Sequence, residues 1–267
     1  MANIDRWLDA ARQEGYSDIH AAARVCQDII LKAIAASDFG KHITIKGGVV
    51  MQNITGDIRR ATRDMDLDFI HYSLDEQSIR RFIERLNCLD GITIQIAAPI
   101  TELSQQEYHG KRVFISMEDD TGHSVSTKLD LGVHKQMQVE QDEYCFDVCL
   151  DDEGVCLLIN SKEQIFAEKL RSLLRFGSLS TRYKDIFDLC YLTDYVNRER
   201  LIHCLDVYIL SDPEMRENNM NAVCQRIHRA FQNRGYRQRL RQSVSANWLD
   251  VEVEDALNKI ESFLQNI

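Results

Sequence analysis

The sequence predicts an α+β protein: a mixed β-sheet core with flanking helices, followed by a helical C-terminal half. Three observations support that expectation. Apolar residues recur at helical spacing over the first 36 residues, short β-branched or alternating runs dominate from residue 43 to about 160, and from Ser161 the patterned segments are helical. The boundary near residue 160 divides the chain into an α/β domain over 1–160, with N-terminal helices in 1–36, and a helical domain over 161–267.

The elements follow in order. "HAAARVCQDIILKAIAAS" places Ala22, Val25, Ile29 and Ala33 on one helical stripe, widened by Cys26, Ile30 and Ile34. After Ser37 to Gly40, "HITI" is a short strand that runs into Gly47-Gly48, and "VVMQNI" starts a helix. "MDLDFI" alternates as a strand. "SLDEQSIRRFIERLN" returns to helical spacing, with Ser73 as N-cap and Glu76 completing a capping box. "ITIQI", "KRVFISM" and "SVSTKLDLGV" are strands, the last two joined by the turn "EDDTG". "EYCFDVCL" and "VCLLIN" form a second hairpin around "DDEG". In the C-terminal half, Ser161 and Gln164 make another capping box before "EQIFAEKLRSLLRF". Two helices follow in "RYKDIFDLCYLTDYV" and "RERLIHCLDVYIL". Pro213 is placed to start another helix, and an amphipathic helix from about Val253 to Leu264 closes the chain.

Composition narrows the function. The chain has 267 residues, 44% of them apolar, only two prolines, and no low-complexity tract. The start "MANIDRWLDA" lacks the basic and apolar character of a signal peptide, and no apolar run approaches the ~20 residues of a membrane span. Eight cysteines occur without CxxC pairs, which reads as reduced thiols and a cytoplasmic protein with no membrane partner. The net charge of −10 argues against non-specific nucleic-acid binding by the whole chain. The segment from Asn218 to Trp248 nevertheless lacks Asp and Glu while holding Arg226, Arg229, Arg234, Arg237, Arg239 and Arg241. It presents either a local basic face for phosphates or a solvated, internally paired helix surface.

The candidate chemistry lies in "KGGVVMQNITGDIRRATRDMDLDFI", residues 46 to 70. Residues two apart on a strand share a face, so Asp64 and Asp66 meet on one side while Met65 and Leu67 face a core. Like charges this close repel unless a cation offsets them. Two carboxylates on a strand suit Mg²⁺, which takes oxygen ligands and retains substrate phosphates. A strand with one solvated acidic face is the alternative on spacing alone. Asp68 continues the face as a peripheral acid. Asp130 in "STKLDLGV" is a third carboxylate, aligned with Asp66 if the two strands pair, or else an edge acid facing solvent. Gly47-Gly48, between strand and helix, allows close approach of a phosphate. Arg60, Thr62 and Arg63 stand where they can meet phosphates or neutralise the carboxylates. On the later helices, Lys169 and Arg171 flank Leu170, and Asp185 and Asp188 share a face with Arg182, a pattern also typical of surface charge ladders.

These residues carry a resemblance. Gly47, Gly48, Arg60, Thr62, Asp64 and Asp66 match the first motif of the AbiEii/AbiGii-type nucleotidyltransferase toxins, of the polymerase-β-like superfamily, similar to the mycobacterial MenT toxins. "KLD" at 128–130 resembles the strand with the third carboxylate, "EKLRSLL" the motif of an essential lysine, and "RYKDIFDL" the helical motif of an essential aspartate. The resemblance spans residues 25 to 195 and implies a nucleotidyltransferase-like sheet core.

It also implies an activity: Mg²⁺-dependent (or Mn²⁺-dependent) transfer of a nucleoside monophosphate from an NTP. Asp64, Asp66 and Asp130 would bind metal, with Asp130 assisting deprotonation of the acceptor. Gly47, Gly48, Arg60, Thr62, Lys169 and Asp188 would bind the NTP and its phosphates, and Lys169 and Asp185 would be catalytic, so that the helical domain completes the active site. The implied acceptor is the tRNA 3′ end, held through Arg226–Arg241, with a cognate antitoxin as a further partner in phage defence. A protein hydroxyl as acceptor, or an inactive NTP-binding module, is the alternative.

Overall fold

The computed structural model describes residues 2–103 and 110–267. The chain divides into two compact units, Met1–Asn160 and Ser161–Ile267.

Unit 1 begins with helices α1 (Ile4–Gln13) and α2 (Asp18–Ala36). Then come β1 (Ile43–Lys46), α3 (Gly47–Thr55), β2 (Met65–Phe69), α4 (Glu76–Arg85) and β3 (Ile92–Ile96). The strands β4 (Thr101–Leu103), β5 (Gly110–Asp119), β6 (Ser124–Val133), β7 (Asp142–Phe146) and β8 (Val155–Ile159) complete it. Among the described residues they form one mixed eight-stranded sheet in the order β3-β5-β6-β2-β1-β8-β7, with β4 paired to β5. The short β4 lacks the alternation that marks the other strands and has no counterpart in the sequence-based expectation.

β2 occupies the middle of the sheet, antiparallel to β1 and parallel to β6. Its alternation explains the position, because Met65, Leu67 and Phe69 are all buried and need helices over them. Helix α2 covers β6 and β8, and α3 packs on β1 and β2. Phe69 meets Phe82 of α4 edge to face at 5.1 Å between centroids, and Phe39 packs on both rings.

Three local expectations are corrected. Helix α4 starts two residues later than Ser73 and Glu76 suggest: Asp75 is the N-cap, accepting the Ser78 amide at 2.9 Å, while Ser73 Oγ accepts the Asp75 amide. Both residue types are good caps, and Asp75 gains a second bond by also accepting the Ser78 hydroxyl at 2.7 Å. The eight cysteines are not all thiols: Cys145 and Cys156 oppose each other across β7–β8 and form a disulfide. That pair is invisible in spacing, because the hairpin register creates it. Pro213 lies in an irregular connection, and the next helix starts only at Met220, capped by Asn219.

Unit 2 is helical: α5 (Lys162–Phe176), α6 (Tyr183–Leu192), α7 (Arg198–Leu205), α8 (Met220–Phe231), α9 (Arg234–Gln242) and α10 (Val253–Gln265), with one π turn over Asp206–Leu210. Ser161 caps α5 by accepting the Gln164 amide at 3.1 Å, but the Gln164 side chain turns to Glu168, so only half of the expected capping box forms. The core joins α5 to α6 and α7, and α10 to α6 and α8. Phe166 and Phe263 meet there at 5.5 Å.

The apolar stripe of α2 is wider than its sequence pattern. Gln27 and Asp28 are buried with it. Asp28 Oδ2 accepts the Cys149 amide at 3.0 Å and lies 3.1 Å from Arg24 Nε. Burial is the larger influence and pushes its carboxyl up to about 6, against the lowering effect of Arg24. A raised folded-state value means stability is fully present below the unfolded-state value and is lost as pH rises through about 6. Replacement Asp28→Asn keeps the acceptor oxygen and removes the titration. Relative to wild type, the variant is expected to gain stability between pH 4 and pH 7.5, by on the order of 3 kcal/mol in urea unfolding. A difference that is flat across that range counts against the buried-charge account.

Candidate active site

The parallel register of β2 with β6 places Asp66 opposite Asp130 and Asp68 opposite Gly132. Asp64 immediately precedes β2 and extends the same alternation. Four carboxylates, Asp64, Asp66, Asp68 and Asp130, are thereby gathered on one face of adjacent strands. Asp130 is interior to the sheet, on a strand flanked by β5 and β2, and is almost fully buried.

Three cations offset this charge, and sequence reasoning assigned none of them to the site. Lys46 pairs with Asp66 in the β1–β2 register, and its Nζ lies 2.7 Å from Asp68 Oδ1. Lys128 Nζ is 3.0 Å from Asp64 Oδ1. Arg112 on β5 grips Asp130 with two parallel bonds, Nε–Oδ1 at 2.7 Å and Nη2–Oδ2 at 2.8 Å. Lys128 and Asp130 stand two apart on one strand, so period-2 alternation alone would have placed that lysine on the acidic face. Arg112 needs the β5–β6 register, in which it faces Asp130. Asp68 is correspondingly an ion-pair partner of Lys46 within the group.

Asp66 is the strained member. Burial raises its carboxyl to about 6, Lys46 opposes the shift, and Asp130, Asp64 and Asp68 add to it. Among the described residues no group of three His, Cys, Asp or Glu side chains is preassembled around one point. The reason is visible in the pairs above, which hold Asp64 and Asp130 against cationic side chains. The donor set nonetheless fits a divalent cation in kind: it is all carboxylate oxygen, and a cation between Asp64 and Asp66 relieves the repulsion that now raises Asp66.

The glycine pair is built against these groups. Gly47 has φ +65°, and a Cβ on it would sit 2.6 Å from Asp66 Oδ2. A Cβ on Gly48 would come within 2.5 Å of Thr62 Oγ1. The start of α3 thus lies directly on Asp66 and Thr62. Thr62 is held by its backbone, its amide donating to Gln52 Oε1 at 2.9 Å and its carbonyl accepting from Gln27 at 3.0 Å. Arg60, expected to meet phosphates, is only 3% exposed and belongs to the interior of the unit. Arg63 is the exposed arginine of the motif.

In unit 2 the helical motifs converge on one another. Lys169 Nζ lies 2.5 Å from Asp185 Oδ1 and 2.9 Å from Asp188 Oδ2. Asp188 is completely buried and also accepts the Trp248 indole N–H at 3.0 Å. Lys169 and Trp248 engage its oxygens inside the unit. Asp185 is half-buried at the rim of the pair. Arg171 is no member of a surface ladder either, being buried against Asp212 and Glu214.

The acid-free segment does not present six unencumbered arginines. Arg226 donates to the Leu174 carbonyl at 3.2 Å, Arg237 to the Phe231 carbonyl at 2.5 Å, and Arg239 to the Ser178 carbonyl at 2.6 Å. Arg241 pairs with Glu254. Leu174 and Phe231 lie in the last turns of α5 and α8, where carbonyls lack helical partners and cations are favoured. Two of the six arginines, Arg226 and Arg237, thus finish helix ends, while Arg239 is tied to the turn after α5.

Two substitutions test these assignments. Gly47→Ala and Gly56→Ala impose the same left-handed strain, at φ +65° and +62°, but a Cβ on Gly56 meets nothing within 4 Å. Gly56→Ala is expected to cost about 1–2 kcal/mol in thermal or urea unfolding, Gly47→Ala more because its Cβ also displaces Asp66 Oδ2, and only Gly47→Ala to lower catalytic turnover, by more than tenfold. Lys169→Met leaves Asp188 buried beside Trp248 without its cation, and is expected to destabilise the protein by about 3–5 kcal/mol in urea unfolding. A loss of activity at unchanged stability would instead give Lys169 a purely chemical role.

The sequence pattern described as "Nucleotidyl transferase AbiEii toxin, Type IV TA system" matches residues 29–259. No curated protein matches the sequence. The solved structure of MenT4, a nucleotidyltransferase toxin from Mycobacterium tuberculosis, is similar in fold, with 15% identity, a TM-score of 0.53, and coverage of 97% of this chain and 99% of that one. An antigenic nucleotidyltransferase-like protein from Paracoccidioides brasiliensis is more distant, with 13% identity, a TM-score of 0.47, and coverage of 83% and 92%. With the pattern spanning most of the chain, this protein belongs to the AbiEii nucleotidyltransferase toxin family and is a nucleotidyltransferase.

Proposed function

We propose that the protein transfers a nucleoside monophosphate from an NTP to the 3′ end of tRNA, as the toxin of a type IV toxin–antitoxin pair, with Mg²⁺ as the divalent cation. The observation that carries this reading is the β2–β6 register, which sets Asp66 opposite Asp130 with Asp64 one alternation away and the Gly47 turn against Asp66. In the proposed reaction the acceptor hydroxyl oxygen bonds to the α-phosphorus. The P–O bond to the β-phosphate breaks, and pyrophosphate leaves with the electron pair. The hydroxyl proton passes to a carboxylate oxygen of Asp130. Asp64 and Asp66 would hold the cation, which would neutralise phosphate charge and lower the cost of forming the transition state. Gly47 and Gly48 bring backbone amides of α3 to the triphosphate. Lys128 and Lys46, already beside the carboxylates, balance charge as substrate enters.

A protein hydroxyl as acceptor is favoured by one observation: four of the six arginines expected to hold RNA are engaged with backbone carbonyls or Glu254. The two readings separate in one experiment. Purified protein with Mg²⁺ and each labelled NTP is expected to label tRNA in total RNA, and Asp64→Ala or Asp66→Ala to reduce labelling by at least 10²-fold, the scale on which transition-state charge stabilisation is lost. Label confined to protein would overturn tRNA as acceptor, and wild-type activity in Asp64→Ala would overturn the site.

A further inference from the structure

A cleft of about 590 Å³ opens beside Asp64 and Lys128, within unit 1. Its size suits a single nucleotide-scale ligand. Its walls are apolar, contributed by Ile19 and Ala22 of α2, Ala97 and Ala98 after β3, and Phe114 of β5. Ile19 and Phe114 are 58% and 41% exposed, unusual for large apolar side chains facing a shared depression. Arg63, Asp64 and Lys128 form its charged part. Phe114 stands opposite Lys128 in the β5–β6 register, so the aromatic ring and the ammonium belong to neighbouring strands on one face.

We infer that this cleft receives the terminal nucleobase of the acceptor strand, with Phe114 as its stacking platform. The inference rests on the nucleotidyltransferase reading above and names the part of the acceptor that the site recognises. An aromatic face joined to two cationic side chains is the chemistry that holds one nucleotide of a single strand: the base stacks and the phosphates meet Arg63 and Lys128. Placement selects acceptor over NTP. The glycine turn reaches Asp66 from β1, whereas the cleft approaches Asp64 from β6 and β5, on the other side of β2. A base seated there brings its own sugar hydroxyl toward the carboxylates from the side opposite the turn. It also supplies a contact to RNA that the helix-capping arginines do not.

The test is equilibrium binding, read by fluorescence anisotropy on full-length protein without NTP. The probes are a 5′-fluorescein single-stranded RNA pentamer and the same pentamer with an abasic 3′-terminal residue. Wild type is expected to bind the intact strand about tenfold more tightly, the size of one base–aromatic stack. Phe114→Ala is expected to abolish that preference and Phe114→Trp to retain it, with cooperative thermal unfolding kept in both variants. In transfer assays the same Phe114→Ala change should raise KM for the RNA acceptor while leaving KM for NTP within twofold. Equal binding of the two strands by wild type, binding of neither, a preference that survives Phe114→Ala, or a rise confined to the NTP KM each overturn the inference. Base-dependent binding that follows Phe114 without any transfer to RNA would leave the cleft standing and overturn the proposed reaction instead.

Discussion

Everything at the site depends on the crowding of carboxylates at the start of β2. Parallel pairing with β6 sets Asp66 opposite Asp130, and Asp64 and Asp68 stand one alternation to either side. In water such a group would spread apart. The sheet holds it together because Met65, Leu67 and Phe69 on the same strand are locked into the core and cannot slip by one residue without exposing themselves. Lys46, Arg112 and Lys128 follow from that constraint, each drawn from a neighbouring strand to a carboxylate that would otherwise be unpaired. The absence of a side chain on Gly47 follows too, since a Cβ there would take the space of an Asp66 oxygen.

The neutralising pairs give the site a resting state. Asp130 is held by a bidentate guanidinium and Asp64 by an ammonium, while Asp66 is raised to about 6, chiefly by burial and further by its acidic neighbours. A divalent cation bound as proposed would compete with side-chain cations for the same oxygens, so its affinity would be the difference between two charged states. Lysine and arginine partners are well suited to such exchange because they remain solvated or phosphate-bound when displaced.

Unit 2 uses its charges differently. Lys169, Asp188 and Trp248 form a buried polar cluster in which every member relies on the others. Such a cluster is a poor source of net stability, since desolvation offsets attraction, but removing one member leaves a buried charge unpaired. Arg226, Arg237 and Arg239 end on backbone carbonyls and Arg241 on Glu254, so four arginines of a run that looks like a nucleic-acid face already have partners within the unit.

Periodicity determined much of this protein without any structure. Alternation in "MDLDFI" and "STKLDLGV" identified the two strands and which of their residues face the core, and helical spacing identified α2, α5, α6 and α10, because both signals arise from neighbours along the chain. The Gly-Gly turn and the Asp64–Asp66 spacing were legible for the same reason. The tertiary structure alone decided which strands lie side by side, and hence that Arg112 grips Asp130, that Lys46 serves Asp66 and Asp68, and that Cys145 meets Cys156. It also decided that Arg60 and Asp188 point inward, and that Trp248 completes an ion cluster begun 60 residues earlier. Local patterns fix the face on which a side chain stands. The partner that meets it there is set by long-range register and packing, to which residues close in sequence contribute almost nothing.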